Sequence, residues 1–117
     1  MTTLREASLE NLRNALGSMR STREQIRATE SAYRRAVKCI ESGASIGDAL
    51  DAITADAVRI DLNRVLDELE RSRHLARLSM IAAGLDEGLS IGEVGRRMGF
   101  SRQLAARYAK EARGAAS

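Results

Sequence analysis

The chain has 117 residues, 44% hydrophobic, 30% charged and 3% aromatic, with no Pro, no Trp and a formal net charge of +3. That length suits one compact domain with a modest core and excludes a second large one. Ala, Leu, Arg and Glu dominate, so the predicted fold is all-α: a single compact domain of five or six helices.

No apolar run approaches the roughly 20 residues that cross a bilayer, and mean hydropathy is -0.30. Arg5, Glu6, Glu10 and Arg13 interrupt any secretory apolar core, so no membrane partner and a cytoplasmic location are expected. Charge is unevenly spread. Residues 1–40 carry eight Lys/Arg against four Asp/Glu, residues 41–70 two against eight, and residues 71–117 nine against four. A basic, acidic, basic order fits a polyanion at the ends; it is also how exposed helices stay solvated.

Segment 1–41 repeats apolar side chains every seven residues: Leu12, Met19, Ile26, Tyr33 and Ile40, with Leu9, Leu16 and Val37 at alternate seam positions. Such spacing describes amphipathic helix packed along one stripe against a partner helix. Arg23 and Glu30 interrupt the seam, and Gly17-Ser18 followed by Ser21-Thr22 supplies an end and a cap. One long kinked helix fits; two helices, Thr3 to Leu16 and Thr22 to Glu41, fit better. These helices either cover their own core or join two copies into a homodimer, and the length of the stripe favours the dimer.

Segment 42–84 begins at Ser42-Gly43. A short helix is expected from Ile46 to Ile53, capped by Ser45, and a long central one from Asp56 to Ala83, ended by Gly84. Asp67, Glu68 and Glu70 form an acidic face that suits solvent or a protein partner. His74 stands among Arg71, Arg73 and Arg77, which argues against a metal site and for a solvated position. Cys39 is the only thiol and is expected to be a small residue on a helix face. No phosphate loop, nucleophile-base pair or carboxylate dyad is visible, so neither enzyme activity nor a cofactor is expected.

Segment 85–117 contains "IGEVGRRMGFSRQLAARYAK", Ile91 to Lys110. Ser90 can cap a first helix, Gly95 permits a close crossing, Gly99 can turn the chain with positive φ, Phe100 can plug the corner and Ser101 can cap a second helix. Val94, Met98, Ala105 and Tyr108 would face inward. This run resembles the helix-turn-helix of bacterial and phage transcription regulators. The resemblance implies sequence-specific binding of double-stranded DNA, with the second helix in the major groove. Arg102, Gln103 and Arg107 would contact bases; Ser101, Lys110, Arg96 and Arg97 would contact the backbone. A DNA-reading protein of this kind would be nucleoid-associated. The alternative is a helical adaptor or antitoxin-like module that binds protein without reading DNA.

Displacing the sequence by 45 residues lays "IESGASIGDAL", from Ile40, over "LDEGLSIGEVG", from Leu85. Internal duplication and convergence on the same capping chemistry both account for the match. Where the later stretch has Gly99, Ser101, Arg102 and Gln103, the earlier has Thr54, Asp56, Ala57 and Val58. Asp56, Ala57 and Val58 are poorly suited to a phosphate-lined groove, so one reading head per chain is expected.

Overall fold

The structure is a computed structural model and describes residues 2–116. Its described residues form five helices and no strand: α1 Leu4–Glu41, α2 Ile46–Ala52, α3 Ala55–Asp86, α4 Ile91–Met98 and α5 Arg102–Ala116. The all-α expectation holds. The sequence predicts one compact domain; the helices gather instead into two compact units, Met1–Ala15 with Arg71–Ser117, and Leu16–Glu70.

α1 is one helix, not two. The Thr22 hydroxyl donates to the Ser18 carbonyl at 2.8 Å, and the Thr29 hydroxyl to Gln25 at 2.9 Å. Thr22 is thus spent inside the helix rather than accepting from a new amino terminus. The single helix begins where Thr3 Oγ1 accepts the Glu6 N–H at 3.0 Å.

α3 likewise runs past the expected stop at Gly84 to Asp86. A Cβ on Gly84 would stand 3.3 Å from Leu89 and 3.5 Å from Val94. Gly84 therefore serves close packing, while Gly88, at φ +102°, makes the turn.

In the unit of residues 1–15 and 71–117, Ile81, Val94 and Ala109 form the core, with Leu85, Leu89, Ile91, Met98 and Tyr108 packed around them. Arg5 pairs with Glu87 at 3.0 Å at the surface. In the unit of residues 16–70 the buried side chains are mostly small: Thr22, Thr29, Ala32 and Ala49, with Ile53 and Val65 the larger ones. Thr22 also reaches the Val65 carbonyl at 3.4 Å. Small residues allow α1 and α3 to approach closely there, but they bury little apolar surface.

The 45-residue spacing is written into the backbone. Gly43 N–H donates to Ile40 as Gly88 does to Leu85, and Ala44 donates to Cys39 as Leu89 does to Gly84. These paired bonds are the helix-ending pattern that a left-handed residue permits, with Gly43 at φ +93°. The Ser45 hydroxyl accepts from Asp48 at 3.0 Å as Ser90 accepts from Glu93 at 3.1 Å. Thr54, at φ 52°, turns where Gly99, at φ 75°, turns. Up to that turn both stretches fold to the same local geometry; beyond it α3 begins at once, at Ala55, whereas α5 begins two residues later in register, at Arg102.

Candidate nucleic-acid interface

α4 starts at a capping box: Ser90 Oγ accepts the Glu93 N–H, and the Glu93 carboxylate accepts the Ser90 N–H at 3.3 Å. The Ser90 backbone N–H, then its hydroxyl, hold the Glu93 carboxyl below the usual glutamate range, with Arg97 and Arg96 acting in the same direction. Negative charge in this first turn also complements the helix dipole. The helix ends at Gly99, whose N–H donates to Arg96, while Phe100 N–H donates to Gly95 at 2.7 Å. The left-handed turn redirects the chain within two residues.

Gly95 is where the helices cross. A Cβ there would meet Ala105 Cβ at 2.9 Å and the Phe100 carbonyl at 3.4 Å. The Ser101 hydroxyl then accepts the Leu104 N–H at 3.1 Å and caps α5. Its own proton remains available to an acceptor such as a phosphate oxygen.

α5 divides sharply into two faces. Ala105 and Ala109 are each 1% exposed and Ala112 5%, whereas Arg102, Gln103, Ala106, Arg107 and Lys110 are exposed. Period-3.6 spacing sets those five side chains on one side of the helix. Arg107 lies along Tyr108, its Cζ 6.0 Å from the ring centroid. Ser101 stands exposed at the start of α5, and Arg96 and Arg97 are exposed in the last turn of α4. Every base and backbone candidate is thus solvent-facing. Chemically, the face offers forked guanidinium donors, one carboxamide that can both donate and accept, and an ammonium group.

A clamp not anticipated from the sequence fixes α5 on α3. His74, expected in solvent, is half-buried, with Nε2 2.8 Å from Glu111 and Nδ1 3.1 Å from Arg77. Arg77 can only donate, so Nδ1 accepts and Nε2 carries the proton given to Glu111. The Arg77 guanidinium also donates to the Tyr108 hydroxyl at 3.2 Å and lies 5.0 Å from the Tyr108 ring centroid and 5.6 Å from that of Phe100. His74 meets the Tyr108 ring edge-on at 5.5 Å, and the Tyr108 and Phe100 rings are 5.4 Å apart. Spacing of three pairs His74 with Arg77 and Tyr108 with Glu111 on their own helices. Nothing in either helix alone says that the pairs meet.

Among the described residues, no cluster of three or more His, Cys, Asp or Glu could hold a metal ion, and no helix is long and apolar enough to cross a membrane. Cys39 is half-buried on α1. Comparison with known proteins finds no matching family model, no matching curated protein and no matching solved structure.

Proposed function

We propose that this chain is a sequence-specific double-stranded DNA-binding protein, a transcription regulator of bacterial or phage type, that inserts α5 into the major groove. The observation that carries the reading is the division of α5: an alanine face anchored on the core, and an outward face bearing Arg102, Gln103, Arg107 and Lys110. A helix held from behind, with forked donors and a carboxamide in front, has the chemistry for base edges and phosphates together. Arg102, Gln103 and Arg107 read bases; Ser101, Lys110, Arg96 and Arg97 hold the backbone. The protein acts as a homodimer, so that two heads meet half-sites about 34 Å apart, one turn of the duplex. Such a protein works in the cytoplasm, on the nucleoid.

The test begins with selection of bound sequences from random duplexes. Titration of the recovered duplex then compares the wild type with Arg102→Ala/Gln103→Ala and Lys110→Ala at several salt concentrations. The double variant should lose sequence preference, roughly 1–3 kcal/mol for each good base contact. Lys110→Ala should weaken all duplexes alike and flatten the salt dependence by about one unit of slope. No binding at low salt, or binding unchanged by the double substitution, sinks the proposal.

A further inference from the structure

The unit of residues 16–70 leaves uncovered what the other unit covers. Phe100 and Tyr108 fill the corner between α4 and α5, their rings in contact and inclined at 60° to each other. Displaced by 45 residues, those places are held by Ala55 and Asn63. Both line an open groove of about 660 Å³, walled by Tyr33, Val37 and Ile40 of α1, Leu50 of α2, and Ile53 and Leu62. Lacking the aromatic plug, the corner stays hollow.

The groove continues into an apolar stripe. Leu16, Met19, Ile26, Tyr33, Val37 and Ile40 are between 40 and 62% exposed. Their steps of three, four and seven residues put all six on one side of α1. The buried residues of α1 in this unit, Thr22, Thr29 and Ala32, are the small ones. Within the unit, α1 therefore packs through its small side chains and presents its large ones outward.

We infer that this stripe and groove are the surface on which a second copy of the chain docks, two-fold, so that the first corner serves association as the second serves recognition. The inference deepens the homodimer part of the function proposed above and rests on it. Area supports it: six half-exposed large residues supply on the order of 500 Å², and Leu50, half-exposed in the groove, brings the total to roughly the 600 Å² per partner at which stable interfaces begin. An isologous interface sets the same patch of both copies against each other, and this patch suits its own copy: the stripe is apolar along its length, and Arg59 is the one charged residue lining the groove.

Light scattering and sedimentation of the full chain test this. The wild type should have twice the chain mass at micromolar concentration, and Tyr33→Glu/Val37→Glu the mass of one chain, with helical circular dichroism retained because both positions are exposed. Ile60→Glu is the control: Ile60 is 55% exposed but lies opposite Leu62 and Val58 on α3, so this variant should remain a dimer. A monomeric wild type would make the surface one for a different protein and overturn the inference. So would a double variant that stays dimeric, or a control that dissociates equally. Titrating single half-site duplexes keeps the two proposals apart. A monomeric Tyr33→Glu/Val37→Glu variant that still prefers its half-site upholds both; a dimeric wild type with no preference for any duplex sinks DNA reading alone.

Discussion

Gly95 and Ala105 face each other so closely that a Cβ on the glycine would lie 2.9 Å from that of the alanine. Here the crossing partner already carries the methyl group, so glycine alone leaves room.

Gly95→Ala should consequently destabilise the protein despite alanine's better helix propensity. Overpacking costs about 1–3 kcal/mol, and propensity returns about 1 kcal/mol, leaving a net loss of up to about 2 kcal/mol. Adding Ala105→Gly should recover part of it, seen as a favourable coupling in a urea-denaturation cycle. Additive effects of the two changes would show that the crossing does not limit packing.

Thr54 is the only non-glycine among the described residues with positive φ. A β-branched residue in this left-handed conformation is strained by roughly 1–2 kcal/mol. Thr54→Gly should therefore raise stability by about 1 kcal/mol even though glycine adds freedom to the unfolded chain. Gly99→Thr should lower it by a similar amount. Thermal denaturation of the two variants checks the pair; a Thr54→Gly variant no more stable than the wild type would contradict the strain.

Glu93 ties stability to pH. Its folded pKa is depressed by the Ser90 backbone N–H first and the Ser90 hydroxyl second, so its contribution is present above the ordinary glutamate value near 4.5. It is lost as pH falls through the lower folded value. Glu93→Gln keeps an acceptor for Ser90 but does not titrate there. Between about pH 5 and pH 3 the melting temperature of the wild type should fall more steeply than that of this variant. Parallel slopes would remove Glu93 from the acid response.

The corner was legible because its signals are local. Ser90 with Glu93, Gly99, and Ser101 before Leu104 each act within a few residues, and each forms the bond its spacing implies. Gly17 and Gly84 misled for the same reason. A glycine reads as a stop, yet Gly17 sits inside α1, and Gly84 is required by Leu89 and Val94 beside it. His74 misled because its charged neighbours on α3 imply solvent, while Tyr108 and Glu111 approach from α5.

Residue type and spacing sufficed for the all-α class, the caps at Ser45, Ser90 and Ser101 and the outward face of α5, since a helix face follows from a period of 3.6 and a cap from one side chain and one N–H. Tertiary structure decided which stripe of α1 is buried within residues 16–70, and that small rather than large residues occupy it. It also decided that Arg77 joins His74 to Tyr108. Those outcomes depend on the distance between helix axes, which side-chain volumes on both helices set together and neither sequence segment contains alone.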